Sequence, residues 1–467
     1  MDLASVPGKP TNVKACPEVA WEIAQGGAAW RAQNGNLVGN EQKPLFDLED
    51  LRGKFEDIVR FATNSRVETG FGYLNLEGKT DPDKPAELWI TCRMTHVFAL
   101  AANLGIPGAA ELAEFGVESL WRFFQDPVYG GWFAAIETVL DGDGQAVPVV
   151  EDKQAYAHAF VLLAATSAFA AGIPGASRLF TAARQDQDLH WFREHDGRVV
   201  EAYDRSFSKV EDYRGLNSNM HTVEAYTAAY DVTGDRVLLD RAVQILRFVA
   251  HLGSSTNWRL PEHFTADWLV QADYNADRPA DPFRPFGATP GHGLEWSRLM
   301  LQARAALLRT DGHVPDWMLP AAIHLYQRAV ADGWDADGAP GFIYTTDMAG
   351  MPVVRERMHW VVFEAINAGI VLAETLKTKP EGLEAFTNSL VVDLVEEDVV
   401  TWWEYAESNL LAGPGRWTHE LDSKNQASSR TWSGHPDAYH VAQMLLLPCI
   451  ADGPTFAAAL MEQTRPE

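Results

Sequence analysis

Apolar positions along the chain gather into long Ala- and Leu-rich blocks at 87–104, 152–171, 219–232, 235–252, 294–309 and 360–376. Within each block they recur three and four residues apart, the period of a helix face. The stretch 159–171 is apolar almost all round, which suits a helix covered by both an inner and an outer layer. LGIPG at 104–108 and AGIPG at 171–175 end helices with Gly and Pro where the backbone must reverse. Strand-like alternation is confined to short aromatic segments between the blocks.

Those segments recur: GFGYLN at 70–75, GGWFAA at 130–135, HWFREHDGRV at 190–199, WRLPEHF at 258–264, GFIYTT at 341–346 and WWEYAE at 402–407. Their starts are 60, 60, 68, 83 and 61 residues apart, room for two helices and a long connection, and each is expected to open one unit. Six such units predict an all-α fold, an (α/α)6 barrel or twelve-helix toroid with short aromatic β-hairpins or loops between helices. No Gly/Ser linker or charge block divides the chain, so one barrel domain is expected over 21–467 after a flexible lead-in over 1–20. A doubly wound α/β fold would need a series of apolar β-branched strands, and none is visible. Neither GxxxxGK[ST] nor a strand–GxGxxG–helix unit occurs, which leaves nucleotide chemistry unsupported.

Composition narrows the partners. A chain of 467 residues that is 46% hydrophobic and 11% aromatic can bury a sizeable core. Lys plus Arg number 38 against 64 Asp plus Glu, a net charge of −26 that repels phosphate backbones and anionic bilayers, so neither nucleic acid nor a membrane is expected. The low-polarity stretch 159–176 is interrupted by Thr166, Ser167, Gly172 and Pro174 and falls short of the roughly 20 apolar residues of a bilayer span. Cys16, Cys92 and Cys449 lack the spacing of a disulfide framework or zinc knuckle, and the N-terminus shows no signal-peptide pattern. A cytoplasmic location is expected; the oligomeric state is open, a homo-oligomer included.

Polar groups inside apolar helices carry the chemistry, because burying them is unfavourable unless they are paired or used. They are Arg93 and His96 in LWITCRMTH, Tyr156 in KQAYAHAF, Asn217, His221 and Glu224 in NSNMHTVE, His292 and Glu295 in GHGLEW, His359 and Glu364 in RMHWVVFEA, and Asp437 and His440 in GHPDAYH. Asn217, His221 and Glu224 are related by +4 and +3, and His292 and Glu295 by +3, so each set shares a helix face. In a toroid, equivalent faces converge on the axis. The result is one pocket holding Arg93, Tyr156, His221, His292, His359 and His440, lined by aromatics such as Trp89, Trp132 and Trp360. Aromatic faces for C–H patches and short polar groups for hydroxyls make a sugar site. Histidines with carboxylate partners suit proton transfer near neutral pH, and Glu295 is placed either to hold the ring of His292 or to contact substrate. His96, His158 and His251 read as core or surface histidines. No HExxH, DxDxDG or Cys/His metal spacing appears, so no metal or other cofactor is expected. Glycoside hydrolysis would need two facing carboxylates, and the candidates Glu224, Glu295 and Glu364 each travel with a histidine.

The strings LWITCRMTHVFAL, KQAYAHAFVLLAA, LNSNMHTVEAY, PGHGLEWSRLML, RMHWVVFEAI and GHPDAYHVAQ, in this order, resemble the N-acylglucosamine 2-epimerase superfamily over roughly residues 45–450. Within it, LPEHFTADW and YNADRPADPFRPFGATPGHGLEW resemble the branches that isomerise D-mannose and sulfoquinovose. The resemblance implies an (α/α)6 barrel and cofactor-free aldose–ketose isomerisation of a monosaccharide through a cis-enediol(ate). D-mannose and D-fructose are the first expectation, with D-lyxose and D-xylulose as a side reaction. Sulfoquinovose isomerisation and sugar 2-epimerisation are the alternatives within the family, and a noncatalytic sugar-binding protein is the alternative outside it. By matching positions, His440 is the base between C2 and C1. His292 opens the ring and moves protons among oxygens, and Glu295 supports His292 and binds hydroxyls. Arg93, Tyr156, Asn217, His221, His359 and Trp360 hold the sugar. One departure is His435, where the family's last motif commonly has Lys. The Asp- and Pro-rich stretch 270–290 is a candidate lid.

Overall fold

The computed structural model describes residues 45–386, 390–450 and 454–464. These belong to one compact unit, Lys43–Glu467. The lead-in expected at 1–20 lies outside the described residues.

Apolar blocks become helices that alternate between two layers. The inner layer is α2 (Leu88–Asn103), α4 (Ala155–Ala170), α6 (Leu216–Thr233), α8 (Pro290–Asp311), α10 (His359–Lys377) and α12 (Tyr439–Leu446). The outer layer is α1 (Leu48–Ala62), α3 (Ala109–Ser119), α5 (Ala176–Asp186), α7 (Arg236–Ser255), α9 (Met318–Gly333) and α11 (Val392–Asn409). Each inner helix touches the next, and α12 touches α2, so the inner ring is closed. Each of α2, α4, α6, α8 and α10 packs on the outer helix that follows it, while α12 packs on α1, the first described helix. This is the (α/α)6 barrel. A thirteenth helix, α13 (Phe456–Thr464), packs against α2, α4 and α6.

Layer assignment follows from side-chain pattern. α4 buries residues on every face, whereas α7 buries Leu238, Leu239, Ile245, Leu246 and Val249 on one stripe and leaves the other wet. Gly108 and Gly175 start α3 and α5 with φ of 80° and 79°, which is why GIPG recurs at the reversals from inner to outer layer. Among the described residues α10 alone is long and apolar enough to cross a bilayer; here it lies between α8, α11 and α12 with Glu364 and Asn367 fully buried.

Short strands tie the units together at one rim. The residues leading into each inner helix pair with the next unit: Glu87 with Ala135, Gln154 with Ala202, Gly215 with His263, Ala288 with Thr346, and Met358 with Glu420. His435 pairs back to Leu74 and completes the circle. All six inner helices therefore begin at the same rim, with their N-terminal N–H groups gathered around the axis.

One expected unit opener is corrected. WWEYAE at 402–407 is helical, part of α11, with Trp402, Trp403, Tyr405 and Ala406 buried. Its aromatics repeat at helical spacing and fill the interlayer core. The sixth hairpin is Leu411–Gly413 with Arg416–Trp417. Gly415 in its turn has φ of 66°, and a Cβ there would sit 2.2 Å from the carbonyl oxygen of Asp57 on α1. Gly415→Ala combines left-handed strain with a backbone clash at the seam where first and last units meet, and is expected to destabilise the barrel by about 2 kcal/mol or more. A thermal midpoint by circular dichroism equal to wild type would contradict this account of closure.

Candidate active site

Side chains near the start of the inner helices line a cavity at the tied rim. Ten of the residues proposed from the sequence lie on its wall: Trp89 and Arg93 from α2, Tyr156 from α4, Asn217 and His221 from α6, His292 and Glu295 from α8, His359 and Trp360 from α10, and His440 from α12. Trp132 is not among them. Its indole donates to the Leu120 carbonyl at 2.9 Å, and its ring packs on His158 in the core. His96 and His158 are buried core residues, bonded to Ser167 and to the Gln154 carbonyl, and His251 is exposed.

Three histidines are each held by a carboxylate through Nδ1. His440 meets Glu364 at 3.0 Å, His292 meets Glu262 at 3.0 Å, and His221 meets Glu224 at 3.1 Å. A fourth, His359, meets the His419 carbonyl at 3.1 Å, with the two rings stacked 3.9 Å apart. A carboxylate or carbonyl accepts, so in each neutral ring Nδ1 carries the proton and Nε2 keeps its lone pair. Four acceptors of one kind thus belong to the wall of one cavity. Burial holds His221 down to about 4 and His359 to about 3. Burial also lowers His440, against the pull of Glu364. Trp360 lies beside two of the three carboxylate-backed rings, 5.3 Å from His292 and 5.7 Å from His440.

Arg93 supplies the cation. Its guanidinium donates to Asp437 at 3.1 Å and to the Tyr156 hydroxyl at 3.0 Å, packed among the rings of Trp89, Phe160 and Tyr439. Burial opposes its charge, but the Tyr156 and Asp437 oxygens more than restore it. Asn217 Oδ1 has no protein partner.

The partner expected for His292 is replaced. Glu295 shares its helix face, yet the ring turns to Glu262, which arrives on the segment leading into the strand His263–Thr265. Glu295 instead lies 3.4 Å from Arg298 and 3.8 Å from His221. Burial raises its carboxyl well above the ordinary range, and the nearby charges of Glu364 and Glu224 push the same way. His221, Glu224 and Glu295 place ligand atoms within 4.8 Å of one another, a geometry open to a metal ion. The donors are already committed, however: Glu224 accepts from His221, Tyr439 and Gln443, and Glu295 faces Arg298. The trio fits an internal polar network better than an ion.

Several wall residues were not foreseen: Phe283, Tyr344, His419 and Trp432. Phe283 meets Trp432 edge-on at 5.0 Å and Trp89 at 6.0 Å, so the stretch 270–290 does border the cavity. It is fastened there by Arg284, which grips Glu211 at 2.9 and 3.0 Å. His435 stands one layer back, its ring 4.3 Å from that of His419. Glu262 had a visible signal in LPEHF, but nothing in a one-dimensional pattern links it to a histidine 30 positions on.

Comparison with known proteins agrees with this geometry. The model of the N-acylglucosamine 2-epimerase family matches residues 70–444. A D-mannose isomerase of Thermobifida fusca is 45% identical over 407 residues, covering 86% of this chain and 94% of the relative. One from Pseudomonas cannabina pv. alisalensis is 40% identical over 412 residues, 88% and 94% of the two chains. The crystal structure of a D-mannose isomerase has the same fold, with a TM-score of 0.75 at 24% identity over 88% of this chain and 99% of that one. The chain belongs to the N-acylglucosamine 2-epimerase family.

The burial of His221 and His359 has a direct readout. An imidazole with the ordinary value of 6.5 is mostly protonated at pH 5.5, whereas values near 4 and 3 leave both neutral there. Histidine 15N NMR is expected to show both rings in the Nδ1–H form from pH 7.5 down to 5.5. Titration of either ring near 6.5 would refute the buried, carboxylate- and carbonyl-tethered arrangement.

Proposed function

We propose that this family member interconverts D-mannose and D-fructose without metal or organic cofactor, by histidine-mediated proton transfer through a cis-enediol(ate). That the chain is an isomerase enzyme follows from its family and from relatives at 45% and 40% identity. The observation that carries the mechanism is the pair of histidine–carboxylate dyads, His440–Glu364 and His292–Glu262, each beside Trp360.

With Nδ1 tied to Glu364, the Nε2 lone pair of His440 takes the proton from C2, and Glu364 stabilises the imidazolium formed. The same nitrogen returns the proton to C1 on the same face, which converts the aldose into the ketose. His292, backed by Glu262, takes the O1 proton on its Nε2 and passes it to the ring oxygen as the pyranose opens, then shuttles protons among the oxygens of the open chain. Charge developing on O1 and O2 meets the Arg93 guanidinium and the N-terminal N–H groups of the inner helices, which favour the enediolate over the neutral sugar. Glu295, whose affinity for a proton burial raises, hydrogen-bonds a sugar hydroxyl. Asn217, with its free carbonyl oxygen, and Tyr156, His221 and His359 hold further hydroxyls, while Trp360 and Trp89 offer ring faces to C–H patches. D-lyxose, which keeps C1 to C3, enters the same scheme.

Charge pairing favours a neutral sugar over sulfoquinovose. The cations near the cavity are already matched: Arg93 by Asp437, Arg298 by Glu364 and Glu295, and Arg284 by Glu211. Arg278 is an exposed residue held near Asp281. A sulfonate would have to break one of these pairs.

Proton NMR of EDTA-treated protein in D2O, with D-mannose, D-glucose and sulfoquinovose offered separately, tests the proposal. Fructose from mannose, deuterated at C1 to the extent that the base exchanges, is the expected result. His440→Asn should lower kcat by about 100-fold or more while sugar binding persists. Turnover of sulfoquinovose alone, glucose as the main product of mannose, or loss of activity with EDTA would each overturn a named part of it.

A further inference from the structure

Behind the sugar-facing wall lies one cation that the mechanism above does not use. Arg298 stands on α8, one and two turns beyond Glu295 and His292, and its side chain is 1% exposed. Its Nε donates to Glu364 Oε2 at 2.9 Å, its Nη2 to Glu295 Oε1 at 3.4 Å and its Nη1 to Gln302 Oε1 at 3.2 Å. Glu364 in turn gives its other oxygen to His440. Three carboxyl groups, Glu224, Glu295 and Glu364, share this buried volume, and they are not served alike. Glu224 has three donors in His221, Tyr439 and Gln443. Glu364, fully buried, has the short contact to the guanidinium, and Glu295 has the long one.

From this arrangement we propose that Arg298 is a positioning residue for the isomerisation: it holds Glu364 as a carboxylate behind His440, which fixes the base in its Nδ1–H form. The kinetic part of this role rests on the activity proposed above. An isolated carboxylate in this volume would take up a proton rather than stay charged. A protonated Glu364 cannot stabilise the imidazolium that forms when His440 takes the C2 proton. A guanidinium reaches two carboxyl groups at once in the fixed directions of its planar fork, a geometry that an ammonium, a point charge with three rotatable donors, does not impose. The charged and titratable groups around the pair come from five helices and one loop. Arg298 meets Glu364 on α10, Glu295 on its own helix, Glu224 on α6 and Tyr439 on α12. His440 faces Glu364 and His359 on α10, Arg93 on α2 and Asp437 on the loop before α12. The direction of the Glu364 shift, below the ordinary range with Arg298 opposing its burial, agrees with the placement.

The test uses Arg298→Lys, which keeps the charge and loses the fork, alone and in a Glu364→Gln background. The expected result in the single variant is a kcat on D-mannose ten- to a hundredfold lower, with KM changed less than threefold and the acid limb of kcat/KM moved by at least half a pH unit. In the Glu364→Gln background the same substitution should change kcat less than twofold. Histidine 15N NMR supplies a readout without turnover: the His440 Nδ1–H signal should shift or vanish, while that of His292, tied to Glu262, stays in place. Equal kcat losses in both backgrounds, a KM effect with kcat intact, or joint displacement of both histidine signals would overturn the proposal. If wild-type protein left D-mannose unchanged, the activity reading would fall, and the NMR comparison would still decide the role of Arg298.

Discussion

A carboxylate inside a ring of apolar helices is stable only where a cation or several hydrogen-bond donors meet it. This protein places Glu224, Glu295 and Glu364 in such a ring, and the rest of the site is arranged around their compensation. Arg298 answers Glu364, and His221, Tyr439 and Gln443 answer Glu224. Glu295 is left with a longer contact and a raised affinity for its proton. His221 and His440, facing the cavity, are the outward ends of two of these pairings. Their tautomers, and therefore what they present to a sugar, are consequences of what lies behind them.

The closed ring makes the pairing possible. Six helices begin at one rim because the strand leading into each is bridged to the next unit, and the bridge between Leu74 and His435 joins last to first. Helix N-termini, four imidazole lone pairs and one paired arginine then serve a single small volume. Negative charge developing on a substrate oxygen there meets fixed dipoles that need no reorganisation. The aromatic side of the cavity is looser in origin. Phe283 and Trp432 arrive on irregular segments, and the Arg284–Glu211 grip on the surrounding loop sets where Phe283 stands.

Helical periodicity, the repeat of aromatic segments and the order of the polar motifs were all readable in one dimension. Ten side chains named from those motifs do share a wall, because inner-helix residues at equivalent positions must face the axis of a closed ring. Two readings went astray for the same reason. WWEYAE looked like a unit opener by composition, but its tryptophans recur at helical spacing and fill the interlayer core of α11. Trp132 looked like a pocket aromatic by its place in the repeat, but its indole found the Leu120 carbonyl inside the core. Composition alone does not separate an aromatic that packs from one that lines.

By itself, the sequence determined the barrel, the family and the residue types at the axis, because periodicity and local motif spacing are properties of neighbours along the chain. Only the tertiary structure decided which carboxylate serves which histidine. Glu295, three residues from His292, turns to Arg298, while Glu262, thirty residues away, takes the ring. Glu364 and His440 meet across 76 positions, and Glu224 and Tyr439 across 215. These partnerships depend on rotamers and on the approach of separate helices within hydrogen-bond distance, and neither leaves a mark in the spacing of letters.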